Sequence, residues 1–336
     1  MARRLDLLEQ KFLDTIKENN LIDEGDVIVV GVSGGPDSIT LLTCLNKYKE
    51  KLKYSIIVAH INHLIRKDST EDERFVENAC KKMNIKFYAK RINVLQIAKE
   101  TKRGTEETGR TIRYDFFNEI LEKEHANKIA IAHNMNDNAE TMLINLIRGS
   151  GLNGLEGIQP NEYEKYIRPL INCSRAEIEG YCEKYKLKPR IDYTNSENIY
   201  TRNIIRNKII PELQEINPNI IRTLSRTSKI IKENNRYLKK QSQEIYGKLA
   251  KLETKKTSFD LKEFNKLERT IKTNIILQAI EELQGTPRNI EKTNIDDIIK
   301  LAKRNVGNKY IKINKNLEAK IQDKKLQLTF LENLKQ

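Results

Sequence analysis

The sequence predicts an α/β chain, a parallel doubly wound sheet followed by a second, smaller and mostly helical domain. Three observations predict it. Between residues 26 and 147, β-branched apolar runs alternate with helix-period patterns across short connections, as in successive strand–helix–strand units. Polar residues cluster just past the C-terminal ends of those runs, the edge at which open α/β sheets bind ligands. From about Asn219 onward the strand signal fades and basic helical stretches take over.

The elements follow in order. Leu5, Leu8, Phe12, Leu13 and Ile16 recur at helical spacing, an amphipathic helix ahead of the first strand. Val27 to Val32 is that strand; it stops at Ser33-Gly-Gly-Pro-Asp-Ser38, and Ile39, Leu41, Leu42 and Leu45 then open a helix. Tyr54 to Ala59 is the second strand, running into His60-Ile-Asn62-His63-Leu-Ile-Arg66. Ser69-x-x-Asp72 caps a charged helix to about Met83, and Ile85 to Arg91 is a third strand. A helix begins at Thr105 with Glu106 and Glu107 in its first turn; it carries Arg110, Arg113 and Tyr114 ahead of Phe116, Phe117, Ile120 and Leu121. Lys128 to Ala132 is the fourth strand. His133-Asn-Met-Asn-Asp137-Asn-Ala-Glu140-Thr141 follows it and leads into a helix that buries Met142, Leu143, Leu146 and Ile147.

Past that helix, Gly149-Ser-Gly151-Leu-Asn-Gly154 matches G-x-G-x-x-G, but a dinucleotide loop must follow a strand and open a helix. This one follows a helix, so it reads as a helix C-terminus and a loop. Ile167-Arg-Pro-Leu-Ile is a short extended segment, and Ser174-Arg175-Ala-Glu177 is a capping box for a helix to about Tyr185. Arg202 and Arg206, four apart, share one helix face, for which a solvated surface is the ordinary and favoured explanation. The Asn217-Pro218 turn marks the expected boundary, giving domains over residues 1–217 and 218–336. In the second, a helix to about Leu252 carries Lys229, Lys232, Arg236, Lys239, Lys240, Lys248 and Lys251 against Glu233 and Glu244. Helical patterns at Phe264–Leu283 and Ile295–Leu301 follow, and alternating runs from Tyr310 to Phe330 close the chain as a hairpin or meander.

Composition bounds the partners. The chain has 336 residues, enough for two domains, and 61 Lys and Arg against 47 Asp and Glu leave a net charge of +14. An AT-rich genome that favours lysine codons explains that charge as well as a polyanionic partner does. No apolar run approaches the roughly 18–20 residues of a membrane span, and Met-Ala-Arg-Arg-Leu-Asp is unlike a signal peptide, so a soluble, cytoplasmic protein is expected. Cys44, Cys80, Cys173 and Cys182 form no C-x-x-C pair, and His60 and His63 have no third ligand nearby, which weighs against zinc or a redox dithiol.

Strand, glycine turn and helix around Ser33, Gly34, Gly35, Pro36, Asp37 and Ser38 aim backbone N–H groups and a helix N-terminus at an anion. Pro36 suits a first helical turn, where its missing N–H costs nothing. The two serines add hydroxyl donors, and Asp37 supplies a carboxylate for a phosphate-bound metal. An ordinary βα turn is the plain alternative. The common nucleotide-hydrolase loop is excluded, because it needs a lysine and none lies between Gly31 and Lys47.

Ser33-Gly-Gly-Pro-Asp-Ser38 resembles the PP-loop of the N-type ATP pyrophosphatases, which split ATP into AMP and pyrophosphate to activate an oxygen as its adenylate. Further segments narrow the resemblance. Ala59-His-Ile-Asn-His63 with Arg66, Gly109-Arg110-x-x-Arg113-Tyr114, Ala132-His133 through Asp137, and Glu140-Thr141 come first. Arg148-Gly-Ser-Gly-Leu-x-Gly154-Leu155, Arg168-Pro-Leu170, Ser174-Arg175, Asp192-x-x-Asn195 and Arg202-Asn203-x-x-Arg206 follow in family order. Together they resemble the tRNA(Ile)-lysidine synthetases, in a shorter form that ends near the position of Phe330 where longer relatives carry another domain.

The resemblance implies a Rossmann-like, adenine nucleotide alpha hydrolase-like sheet and a ligase that forms a C–N bond. It implies ATP and Mg2+ as cofactors, and as substrates free L-lysine and tRNA(Ile) with a CAU anticodon, whose wobble cytidine is adenylated at C2 and converted to lysidine. The loop, with Ala59, His60 and Asn62, would hold ATP; Asp37 would hold the metal. His133 would sit beside the phosphates or the base; Arg113, Arg148 and Arg206 are candidates for phosphate or AMP contact, Arg113 first, while Arg148 and Arg206 could equally serve tRNA or structure. Asp137 and Glu140 suit the ammonium of lysine, although helix-start carboxylates answering the dipole are the plain reading of both. The second domain would bind tRNA, and a homodimer is compatible with the family. A PP-loop tRNA thiolase and a non-catalytic nucleotide-sensing RNA-binding protein are the alternatives. The missing cysteine pairs weigh against the first, and the carboxylates beside the loop against the second.

Overall fold

The computed structural model describes residues 5–64, 69–190, 201–286, 290–304 and 309–331. Arg66 and the Asp192–Asn195 segment lie outside the described residues. Two compact units divide the chain, Met1–Ile231 and Lys232–Gln336.

Alternation along the central strand decides how the first sheet is covered. In β1 (Val27–Gly31) Ile28 and Val30 face one side and Val29 the other, as the two-residue period of a strand requires. Ile28 and Val30 pack with α1 (Leu7–Glu18), α2 (Pro36–Leu52) and α8 (Arg175–Lys184) through Leu8, Phe12, Leu41, Leu45 and Ile178. Val29 packs with Phe116, Phe117 and Ile120 of α5 (Thr105–Lys123). The Phe117 ring comes so close to β1 that a Cβ on Gly31 would stand 2.4 Å from its Cζ, which is why that position takes glycine.

The remaining strands are β2 (Ser55–Asn62), β3 (Lys86–Arg91), β4 (Lys128–Ala130), β5 (Asn161–Glu162) and β6 (Tyr166–Ile167), in the order β3-β2-β1-β4-β6-β5. All neighbours run parallel except β5, which pairs antiparallel with β6 at the edge. The chain goes from β1 outward to β2 and β3, then returns to the other side of β1 with β4. Loops after β1 and β4 therefore diverge, and a crevice opens between them. The helices α3 (Ser69–Met83), α4 (Val94–Thr101), α6 (Met135–Ile147) and α7 (Leu152–Leu155) complete the layers up to α8. The sequence reading lacked α4 and the β5–β6 hairpin. It also ran the fourth strand to Ala132, whereas β4 ends at Ala130.

After α9 (Thr201–Ile204) a π-helical turn, Ile205–Ile209, precedes α10 (Ile210–Ile216) and α11 (Ile220–Leu249). The units divide inside α11, beyond the Asn217–Pro218 turn where the sequence suggests a boundary. The start of α11 belongs to the first unit because Ile221 is buried with Met135, Leu143 and Ile210. The second unit holds β7 (Ala250–Glu253), β8 (Lys256–Asp260), α12 (Leu261–Lys266), α13 (Arg269–Gln284), α14 (Lys292–Arg304), β9 (Tyr310–Asn314), β10 (Leu317–Gln322) and β11 (Lys325–Phe330). Its strands form an antiparallel sheet in the order β7-β8-β11-β10-β9. The closing meander was legible; β7 and β8 were read as the tail of a helix and a connection.

One buried carboxylate ties the first layer together. Glu9, 2% exposed, accepts from Lys47 Nζ at 2.5 Å, Tyr181 OH at 2.8 Å and Tyr48 OH at 3.0 Å, joining α1, α2 and α8. Burial works to raise its pKa, but bonds from Lys47, Tyr181 and Tyr48 outweigh it and hold the pKa below the ordinary value. A depressed folded pKa contributes stability above the unfolded value and loses it as pH falls through the folded one. Glu9→Ala should therefore cost about 2–3 kcal/mol at pH 7, and the cost should shrink below about pH 4. Urea unfolding at both pH values checks this; a penalty independent of pH would contradict it.

Candidate active site

The first crevice wall is the loop after β1. Val32 N–H still donates to Ala59 O at 3.1 Å, so the strand pairing continues one residue past β1. The backbone then turns through Gly34, whose φ of +96° is open to glycine but strained for a residue with a Cβ. Ser33 and Gly34 N–H both donate to Ser38 Oγ at 3.1 Å, and Ser38 Oγ–H donates to Gly35 O at 3.0 Å. One hydroxyl thus folds the loop over the start of α2. Gly35 caps that helix without any side-chain acceptor, which leaves its N-terminus directed at the crevice. From the far side, Arg190 N–H donates to Gly34 O at 2.9 Å, while its guanidinium holds Asp72 at 2.9 Å and Glu71 at 2.8 Å.

The second wall, Ile131 to His133, leads from β4 into α6. Asn134 caps it: Asn134 Oδ1 accepts from Asp137 N–H and Asp137 Oδ2 from Asn134 N–H, each at 3.0 Å, a reciprocal box. The amide nitrogen of the same Asn134 donates to Asp37 Oδ1 at 2.9 Å. This bond links the first turn of α2 to the first turn of α6. Burial, and next the negative charge of Asp137, push the Asp37 carboxyl up to about 6, against the pull of Arg175 at 3.8 Å.

Asp137 and Glu140 do share a helix face, and its occupant is Arg206. Arg206 Nε and Nη2 reach the two Glu140 oxygens at 2.6 and 2.8 Å, and Nη2 reaches Asp137 Oδ1 at 3.2 Å. Glu140 is 1% exposed. Arg202 adds a bond to Thr141 Oγ1 at 2.8 Å and a longer approach to Glu140 at 3.5 Å. Arg206 sits on the π-helical turn, a local widening of the helix that often accompanies functional positions. Neither carboxylate reaches the ligand space directly. A cavity of about 1140 Å³ opens between the walls, and Arg206 lines it while Asp137 and Glu140 lie behind.

The other expected residues divide. Ser33, Gly35, Pro36, Asp37, Ser38, Ala59, His60, Asn62, Arg113 and His133 all line the cavity, whereas Gly34 is buried in the loop's turn. His60 is 2% exposed and its Nδ1 pairs with Val32 O at 2.8 Å, so it braces the loop. Asn62 spends its amide on Ser69 O, Glu73 and Leu64 N–H, leaving no donor for a ligand. Arg113 is exposed in the cavity wall. Arg148 stands apart from these residues. It caps the opposite end of α6, roughly 16 Å along the helix from Asp137, and does not line the cavity.

The geometry adds residues that sequence reasoning left without a role. His63 lines the cavity beside Arg113; burial, then the Arg113 charge, lower its pKa to about 4. Arg175, on the first turn of α8, lines the same space next to Asp37. Asn134 was findable, since Asn-x-x-Asp before an apolar run is a helix-start signal. His133 is held neutral: burial lowers its pKa to about 3, and Arg168 Nε–H donates to its Nδ1 at 3.1 Å.

No group of three or more His, Cys, Asp or Glu among the described residues could hold a metal ion by itself. Asp37 is one carboxylate at a helix N-terminus. It fits magnesium, which takes one or two carboxylates and draws its remaining ligands from phosphates and water.

A family model described as a PP-loop domain matches residues 6–213. The tRNA(Ile)-lysidine synthase of Clostridium acetobutylicum is 45% identical over 309 residues, covering 91% of this chain and 67% of its own length. Those of Clostridium tetani and Clostridioides difficile are 42% and 39% identical, over 91% and 93% of this chain and 66% and 68% of theirs. The chain thus spans about two thirds of the length of these curated relatives. Among solved structures, a U34-tRNA thiolase from Methanococcus maripaludis with its iron–sulfur cluster superposes with a TM-score of 0.56 at 22% identity. The match covers 67% of this chain and 78% of that one, a likeness of fold.

Asp37 yields a two-sided prediction. A raised folded pKa means that its stabilising contribution is complete below the unfolded value and lost as pH rises through about 6. Asp37→Asn should stabilise the ligand-free protein by about 1–2 kcal/mol at pH 8, and by much less at pH 4, while weakening ATP binding measured with magnesium present at least tenfold. Urea titrations at the two pH values and calorimetric binding check both sides. A loss of stability at pH 8 would refute the assignment of strain to this carboxylate.

Proposed function

The chain belongs to the PP-loop proteins and, within them, to the tRNA(Ile)-lysidine synthases, ligases that form a C–N bond, and on that premise we propose that the crevice between β1 and β4 carries both half-reactions. In the first, the C2 oxygen of the wobble cytidine attacks the α-phosphorus of ATP and the bond to pyrophosphate breaks. In the second, a lysine amine attacks C2, the C2–O bond breaks, and AMP leaves with that oxygen. The first step is needed because a carbonyl oxygen is a poor leaving group and a phosphate ester a good one. Free lysine and tRNA as substrates suit a cytoplasmic site.

The observation that carries this reading is one cavity lined by the α2 N-terminus on one side and by Ile131 to His133, just ahead of α6, on the other, with the two helix starts joined by the Asn134–Asp37 bond. The α2 N-terminus would take the pyrophosphate part, with Arg113 and Arg175 as flanking cations. Asp37 would hold magnesium, whose charge would offset that of the phosphates. Asp137 and Glu140 are our candidates for an ammonium of lysine. Arg206 occupies their oxygens in the ligand-free protein, so the ammonium must replace its guanidinium there. Reaction also needs a neutral amine, since lysine otherwise titrates near 10.4. The exposed basic side chains of α11, among them Lys229, Arg236, Lys240 and Lys248, would hold tRNA phosphates.

The deciding experiment is incorporation of labelled lysine into a CAU-anticodon tRNA(Ile), with methionine tRNA of the same anticodon as control. Incorporation that requires ATP and releases AMP is expected; sulfur incorporation, or none, overturns the reading. Glu140→Gln should raise the lysine KM at least tenfold and change the ATP KM by less than about threefold, because the lost charge serves the ammonium and not the phosphates. An unchanged lysine KM would remove Glu140 from that role.

A further inference from the structure

Arg168 is one of the largest fully buried side chains, 2% exposed, yet it lies behind the cavity and not in its lining. It follows β6, next to β4 in the sheet, and Ile131 N–H donates to Ile167 O at 2.9 Å just before the two chains part. Its guanidinium makes three bonds in different directions. Nη1 donates to Gln159 O at 2.8 Å, Nη2 to Glu162 Oε2 at 2.5 Å, and Nε to His133 Nδ1 at 3.1 Å. The first two fix the plane of the fork, so the third arrives at His133 in one orientation.

A guanidinium can only donate. A ring nitrogen that receives its N–H must therefore offer a lone pair, which puts the single proton of neutral imidazole on Nε2. We infer that Arg168 is the positioning residue that holds His133 as an Nε2–H hydrogen-bond donor in the cavity and denies it the role of general base. In that tautomer Nε2 has no lone pair to accept a proton, and protonating Nδ1 would set two donors against each other. The charges around the ring agree in balance: Asp137 favours the imidazolium, while burial and the cations of Arg168, Arg110 and Arg202 oppose it. What such a donor suits is a phosphate oxygen as negative charge builds on it. That last clause rests on the adenylation reading; the Arg168–His133 arrangement does not.

The test starts with the unmodified protein. Long-range 1H–15N spectra of the imidazole rings are tractable because the chain has four histidines, and His133→Gln identifies the signals of interest. The expected result is an unprotonated Nδ1 and a protonated Nε2 at His133 from pH 5 to pH 9, without tRNA or ATP present. An Nδ1–H tautomer, or titration of this ring near the ordinary histidine value, overturns the proposal. Arg168→Met should then release the ring: both tautomers appear, the His133 titration moves up by at least one pH unit, and kcat for AMP formation falls at least tenfold with a smaller change in the ATP KM. Arg168→Lys keeps the charge but not the fork and should behave like Arg168→Met in the spectra. A folded Arg168→Met protein with an unchanged His133 spectrum would make Arg168 merely a brace for the β5–β6 hairpin, against the proposal. Should neither variant fold, the unmodified spectrum alone decides. Failure of lysine incorporation with the expected spectrum would count against the reaction and leave the positioning intact.

Discussion

The hydrogen bond from Asn134 to Asp37 joins the first turns of two helices beside one cavity, which α2 and the residues just ahead of α6 line. The N-terminus of α2 carries roughly half a positive charge, so it offers an anion site before any side chain is considered. Strand order makes the meeting unavoidable. With β2 on one side of β1 and β4 on the other, the loops after β1 and β4 leave the sheet as neighbours and diverge. Asn134 then serves both helices, capping its own and bonding the carboxylate of the other.

Charge compensation explains the remaining features of the ligand-free crevice. Asp37 and Asp137 sit close enough to raise the pKa of Asp37, an arrangement that favours arrival of a cation. Arg206 answers Asp137 and Glu140, and Arg175 answers Asp37 at longer range. Asp37, Asp137 and Glu140 therefore each have a local cationic partner that a substrate group can displace. Histidine is treated differently: His133 and His63 are kept neutral by burial and neighbouring arginines, which suits them to donate and accept hydrogen bonds without adding charge.

Local pattern determined much of the first unit. The apolar runs that became β1 to β3, the glycine turn at Gly34, the helix start at Pro36 and the Ser174 capping box each depend on neighbours within a few residues, so they were legible. The short pieces were not. β5, β6, β7 and β8 have two to five residues each and acquire strand geometry from their partners, and α4 has only eight residues between a strand and a glycine turn. In the second unit the terminal meander was visible, whereas β8 completes the sheet by pairing with β11, some 70 residues later in sequence.

The sequence by itself determined the anion loop, the presence of acidic and basic residues past the strand ends, and the class of chemistry that they resemble. Only the tertiary structure decided who faces whom. It set Arg206 on Asp137 and Glu140 across more than 60 residues of chain, removed Arg148 to the far end of α6, and placed Arg168 behind His133. The reason is range. A hydrogen-bonded loop or cap closes within one turn of chain, and its residue types reveal it. An ion pair between distant segments depends on strand order and helix rotation, which no local spacing encodes.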